Sequence, residues 1–167
     1  FLSEAVLVEG PSIEQKAQIL LGKQKNTGCT EENTLLFKNF ADNNPNEIIG
    51  RTLLGDLYVK CNRPDLALTE YRIAVGIKPD AYPIWKQLLL ITYKEELWDT
   101  LISISESCQA LFPVQPMPFL TMAIARNKKG ELNEAENAIE IGSGLLVDTD
   151  PATEAEFDFQ RGILAIN

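Results

Sequence analysis

The sequence has no histidine in 167 residues. That removes the commonest general base, the usual hydrolase triads and most zinc-ligand sets. The side chains left that could do chemistry are three cysteines, some clustered carboxylates, a close pair of glycines and two tryptophans. Cys29, Cys61 and Cys108 are odd in number and contain no C-x-x-C pair. At this density they read as buried or half-buried free thiols rather than a disulfide framework, and they leave the redox compartment open. Ser105 and Cys108 have no base beside them, so neither is an activated nucleophile. Gly142-Ser143-Gly144 follows no strand and opens no clear helix, so it reads as helix-packing glycines and not a phosphate loop. Glu131, Glu134, Glu136 and Glu140 lack a calcium-loop signature and read as a solvated face near a helix start. Asp148, Asp150 and Glu154 surround Pro151, which fits an Asp150 N-cap with proline in the first turn. Trp85 and Trp98 read as core. No catalytic constellation, metal site or cofactor site emerges.

The charge balance narrows the partners. Lys and Arg total 15 against 24 Asp and Glu, a net charge of -9. An acidic chain of this kind repels polyphosphate backbones, which argues against nucleic acid. No apolar run approaches the ~20 residues that span a bilayer, so direct membrane insertion of this segment is not expected. With 45% hydrophobic residues the length suits one domain or a short array of small repeats. Phe1 is not an initiator methionine and Asn167 ends an apolar periodic segment. The chain therefore reads as a fragment, with any targeting signal outside it.

The elements that would carry any site repeat at a fixed interval. Pro11, Pro45, Pro79 and Pro113 stand 34 residues apart. Between them, Leu20, Leu54, Leu88 and Met122 share a column, as do Ala17, Arg51, Trp85 and Phe119. Asn33, Ala67, Leu101 and Ala135 form another, followed by Phe37, Tyr71, Ser105 and Ile139. Phe40, Ala74, Cys108 and Gly142 make a mostly small column. Val147 breaks phase where a fifth proline would stand. Each unit reads as two helices. Ser12-Ile13-Glu14-Gln15 is a capping box, and Leu53, Leu54, Leu57 and Tyr58 show helical spacing. Short breaks fall at 26–30, with Thr30 as an N-cap, at Cys61-Asn62-Arg63-Pro64, and at Lys128-Lys129-Gly130, where glycine suits a left-handed cap. Hairpin turns and sustained alternation are absent.

The stretch Ile48–Asp80 resembles a tetratricopeptide repeat. It carries Leu54-Gly55, Tyr58, Ala67, Tyr71, Ala74 and Pro79 at the family's spacing. Trp85 opens the next unit and Pro113 closes it. The unit from Pro116 keeps Phe119, Gly130 and Ala135 but departs at Gly142, Gly144 and Val147; the unit from Glu14 keeps mainly Leu20, Phe37 and Pro45. The resemblance implies an all-α fold, a right-handed superhelix of stacked antiparallel helix pairs. In that reading residues 1–167 form a single solenoid. Residues 1–10 end a preceding helix, the pairs occupy 11–45, 46–79, 80–113 and 114–150, and 151–167 caps the array or opens a next pair. The wider pattern is also similar to envelope-associated bacterial repeat proteins, which favours a periplasmic or envelope location over the cytoplasm.

The same resemblance implies where a partner would bind. The first helix of each pair lines the concave face in this family. The positions facing it are Thr52, Asp56 and Lys60, then Lys86, Gln87, Leu90 and Tyr93, then Leu120, Thr121, Ile124 and Asn127. Leu90, Tyr93, Leu120 and Ile124 would form an apolar strip with Lys60, Lys86 and Lys94 around it. The family's clamp for a C-terminal carboxylate is incomplete, since Asp56 and Leu90 stand where it has asparagines. The expected function is a non-enzymatic scaffold that binds a protein or peptide segment. The alternative is a structural or oligomerising segment. In that case flanking chain or another copy covers the strip and the apolar residues Phe157, Phe159, Ile163, Leu164 and Ile166.

Overall fold

The computed structural model describes residues 10–26, 28–146 and 151–166. Among the described residues there are nine α-helices and no strand. They are α1 (Ile13–Asn26), α2 (Glu31–Asn43), α3 (Ile48–Lys60), α4 (Pro64–Ile77), α5 (Tyr82–Lys94), α6 (Trp98–Leu111), α7 (Pro116–Lys128), α8 (Leu132–Gly144) and α9 (Pro151–Leu164). The expected helix end within 1–10 and the Asp148 and Asp150 cap fall on residues 1–9 and 147–150, outside the described residues, as does Val147. The chain forms two compact units that meet between Ile84 and Trp85, inside α5.

In the first unit Ala17 and Leu20 of α1, Leu36, Phe37 and Phe40 of α2, and Leu53, Leu54 and Leu57 of α3 make one core. Two glycines set the helix spacing. A Cβ on Gly50 would lie 2.8 Å from Ala41 Cα, so α2 and α3 touch backbone to backbone there. A Cβ on Gly55 would lie 2.7 Å from the Tyr71 ring, so glycine makes room for that ring between α3 and α4. Ala67, Tyr71 and Ala74 of α4 are fully buried. Ser12 and Gln15 close the expected capping box on α1: Gln15 N–H donates to Ser12 Oγ at 3.3 Å and Ser12 N–H to Gln15 Oε1 at 2.9 Å. Thr30 Oγ1 caps α2 by accepting from Asn33 N–H at 3.2 Å. Arg51 departs from its otherwise apolar column. Its guanidinium bridges Asp42 at 3.0 Å and Glu70 at 3.1 Å, tying α2, α3 and α4 together.

Free thiols in the first unit are not what the structure shows. Cys29 and Cys61 are joined by a disulfide, with Cα atoms 5.4 Å apart. Cys29 directly precedes the cap of α2 and Cys61 caps α3. The two turns therefore lie side by side, although 32 residues separate the cysteines in the chain. Cys108 remains free and buried, and burial pushes its thiol up to about 12, which leaves it unreactive.

The second unit repeats the plan. Trp85, Leu88 and Leu89 of α5, Leu101 and Cys108 of α6, Ala123 and Ala125 of α7, and Ala135 and Ile139 of α8 are buried. Phe157 brings α9 into this core. It lies over Gly142, where an added Cβ would come within 2.6 Å of its ring and 2.7 Å of Phe119 Cβ. Gly142 is thus a packing glycine. Gly144 is not: an added Cβ there meets nothing within 4 Å. Trp98, expected in the core, is only half-buried because it stands at the exposed start of α6.

The turns that close α3, α5 and α7 are one motif used three times. Asn62, Glu96 and Gly130 have φ of 54°, 55° and 77°. The next residue in each case donates its N–H back across the turn: Arg63 to Tyr58 O at 2.8 Å, Leu97 to Thr92 O at 3.0 Å, Glu131 to Arg126 O at 2.9 Å. This is the Schellman C-cap, in which one residue must take the left-handed conformation. Glycine does so without strain, asparagine tolerates it, and glutamate does not favour it.

Candidate functional site

The sequence-derived face separates into residues the fold has committed and residues it leaves exposed. In the first unit all three are committed. Thr52 Oγ1 donates to Ile48 O at 2.8 Å within its own helix. Asp56 is half-buried and accepts from the Tyr71 hydroxyl at 2.5 Å. Burial raises the Asp56 carboxyl above its ordinary value, and the Tyr71 hydrogen bond offsets part of that rise. Lys60 reaches back to the backbone oxygen of Gln24, fastening the end of α1 to α3.

In the second unit Leu120, Thr121 and Ile124 are buried, not exposed. Helix α7 is apolar nearly all round, and from Leu120 to Ala125 every residue is covered. Thr121 points back to α6, where its Oγ1 lies 3.0 Å from Ser105 Oγ. Lys86, Gln87, Leu90 and Tyr93 of α5 are exposed, and Asn127 is half-buried. The spacing of Lys86, Leu90, Tyr93 and Lys94 sets them on one side of α5. The Tyr93 ring rests against Trp98, with centroids 6.4 Å apart and planes at 60°. An edge-on aromatic contact of this kind orients the ring.

Helix α9 completes a cleft that the sequence reading did not contain. Tyr93 of α5, Ile124, Asn127 and Lys128 of α7, and Phe159, Gln160 and Ile163 of α9 enclose about 490 Å³. Helix α9 is held against this core where Gly142 makes room for Phe157. Phe157 and Phe159 are two residues apart, so when one turns into the core the other is left at the surface, where Phe159 is 61% exposed. Leu90 at 44% and Tyr93 at 42% extend the apolar surface along α5. The lining holds one cation, Lys128, and no carboxylate, in a chain of net charge -9. The sequence signal for Phe159 is its place in the apolar run Phe157, Phe159, Ile163, Leu164 and Ile166, which on spacing alone fits self-association equally well.

The four glutamates expected to be solvated divide. Glu134, Glu136 and Glu140 are exposed. Glu131 instead accepts from Arg126 at 2.6 Å and pairs with Lys129 at 3.4 Å. The Arg126 hydrogen bond holds its carboxyl below the usual value. Lys129 also pairs with Asp99, which ties α6 to the turn after α7. Among the described residues no group of histidine, cysteine, aspartate or glutamate side chains is arranged to hold a metal ion. Among the same residues no helix is long and apolar enough to cross a membrane.

Helix pairs closed by repeated C-caps and spaced by small residues define an α-helical repeat protein, and the fold is tetratricopeptide-like. Solved structures share it. MamA 41-end from Desulfovibrio magneticus RS-1 superposes with a TM-score of 0.71 at 13% identity, covering 93% of this chain and 86% of that one. A MamA MSR-1 structure gives 0.64 at 19% identity over 86% of each chain. A chain in the structure of Naa15/Naa10 bound to HypK-THB gives 0.65 at 22% identity, covering 92% of this chain and 23% of that one. No family profile matches the sequence, and no curated protein matches it significantly.

Proposed function

We propose that the chain is a non-enzymatic scaffold that binds a protein or peptide segment in the cleft between α5, α7 and α9. The observation that carries this reading is the pair of exposed aromatic rings, Tyr93 and Phe159, facing a cavity with one lysine and no carboxylate. Exposed apolar surface of this kind marks contact with another molecule, and aromatic anchors at a pocket supply most of the affinity in such contacts. The lining favours a segment with apolar side chains flanked by acidic ones. Tetratricopeptide-like architecture fits the same role, and one structurally similar chain was solved in a complex, Naa15/Naa10 bound to HypK-THB. Nucleic acid is disfavoured by the net charge. The helix pairs at 11–45, 46–79, 80–113 and 114–150 are the repeats of this scaffold, and 151–167 caps the array or opens a next pair. The self-association reading loses part of its basis, because Phe157 is consumed inside the second unit.

The test is selection of binding segments from a displayed peptide library on the full 167-residue chain, followed by titration. Tyr93→Ala with Phe159→Ala should weaken the selected segments at least about thirtyfold, the loss expected for an aromatic hot spot. Val114→Ala, at an exposed position away from the cleft lining, should leave affinity unchanged. Selected segments that bind the double variant as tightly as the parent would remove the cleft from consideration.

A further inference from the structure

We infer that the Cys29–Cys61 bond is a reducible clamp that holds α1 docked on α3, closed in an oxidising compartment and open in a reducing one. Three observations carry this. First, α1 has a thin hold on the core: Ala17 and Leu20 are its buried residues, with Ile13, Ile19 and Leu21 packed at the margin. Second, the bond lies at the surface. Cys29 is exposed and Cys61 is half-buried, so an incoming thiolate reaches Cys29 Sγ without unfolding the unit. Third, contacts independent of the sulfurs hold the two turns in place. Lys60 bonds the Gln24 carbonyl, and the buried Asn33 side chain donates to Gly28 O at 3.0 Å. These ties keep the opened thiols near each other, which makes the clamp reversible.

The chemistry balances with a dithiol as reductant. One thiolate of the dithiol attacks Cys29 Sγ, the Cys29–Cys61 bond breaks, and Cys61 leaves as a thiolate that takes a proton from water. The second dithiol sulfur attacks the mixed disulfide and releases Cys29. The dithiol closes to a cyclic disulfide, giving two electrons and two protons to the protein bond. Once opened, the constraint across the 32-residue separation is gone, and α1 is held by its marginal apolar contacts and, at its C-terminal end, by Lys60. Its capping box, being local to Ser12 and Gln15, travels with it. Undocking of α1 uncovers part of the core that Ala17 and Leu20 share with Leu53, Leu54 and Leu57 of α3.

The experiment is amide hydrogen exchange on the full chain, with and without dithiothreitol, alongside Cys29→Ser/Cys61→Ser. Thiol titration in denaturant fixes the redox state: one thiol per chain before reduction and three after. Exchange within 13–24 should accelerate about tenfold or more on reduction, and in the double variant, while helices α4 and α7 keep their protection. Unchanged exchange in α1 with three thiols counted would overturn the inference. So would equal loss of protection throughout the first unit, because the bond would then be a global staple and not a local clamp. A single-thiol result is the closed state required by the proposal; three thiols before reduction would refute it outright.

Discussion

Two glycines two residues apart in α8 should respond to the same substitution with opposite signs. At Gly142 a new methyl would sit 2.6 Å from the Phe157 ring and 2.7 Å from Phe119 Cβ. The ring edge can swing, but a β-carbon moves only with its backbone, so the strain falls on α7. Overpacking of this kind costs about 1–3 kcal/mol, while the change from glycine to alanine inside a helix returns about 1 kcal/mol. Gly142→Ala should therefore lose between roughly 0 and 2 kcal/mol. At Gly144 nothing lies within 4 Å and only the propensity gain applies, reduced at the helix end to about 0.5 kcal/mol. Urea unfolding followed by tryptophan fluorescence is the suitable assay. Trp85 and Trp98 are the two tryptophans, and both report on the second unit. The same displacement should disturb the cleft, since Phe157 seats the helix that carries Phe159. If Gly142→Ala is as stable as Gly144→Ala, α9 is not packed on α8 as described.

Other substitutions test other features of the fold. In the repeated turn, Glu96→Gly should stabilise by about 0.5–1 kcal/mol and Gly130→Ala should destabilise by about 1 kcal/mol, with Asn62→Gly near neutral; a loss of stability in Glu96→Gly, read by urea midpoint, would contradict the left-handed assignment. Asp56 holds its proton more tightly in the folded chain than its ordinary value near 3.8 implies, so its contribution to stability should fall as pH rises from there through the raised folded value. Asp56→Asn keeps an acceptor for Tyr71 and should gain on the parent as pH increases; parallel stability curves from pH 3 to 7 would refute this. Arg51→Ala strands the half-buried Glu70 and should cost about 2–4 kcal/mol, whereas Arg51→Met with Glu70→Ile should recover most of it. The counterparts 34 residues on are Trp85 and Ile104, an apolar pair in the second unit.

The repeat frame was legible because close helix packing leaves a mark on residue size. Gly55 and Tyr71, both at the family's spacing, are complementary in the structure: one vacates the space the other fills. Caps were legible too, since Ser12, Gln15 and Thr30 act within a few residues of themselves. The site was less so. Assigning a face from spacing presumes a polar side to contrast with an apolar one, and α7 offers almost none before Arg126. Leu120, Thr121 and Ile124 could be placed only once α6 and α9 were seen against them. The disulfide escaped for a related reason. An odd, low cysteine count with no C-x-x-C pair argues against a disulfide framework. In a stack of helix pairs, however, a gap close to the repeat length sets consecutive turns side by side.

The repeat columns also decide where binding capacity can lie. A residue that conforms to its column is spent on packing, and a polar residue that departs from it must find an internal partner or face solvent. In the first unit the departures find internal partners: Arg51 takes Asp42 and Glu70, and Asp56 takes Tyr71. In the second unit the matching stretch of α5 puts Lys86, Leu90 and Tyr93 at the surface. At the column of Asp56 stands Leu90, and at that of its partner Tyr71 stands Ser105, which turns to Thr121 instead. The seam that closes over Asp56 in one unit therefore has no counterpart to hold Leu90 down in the other. Leu90 is exposed on the same side of α5 as Tyr93, which lines the cleft with Phe159, and clustered exposed apolar surface is what marks contact with another molecule, so the surface to test first is the one that begins at Leu90 and runs through Tyr93 to Phe159.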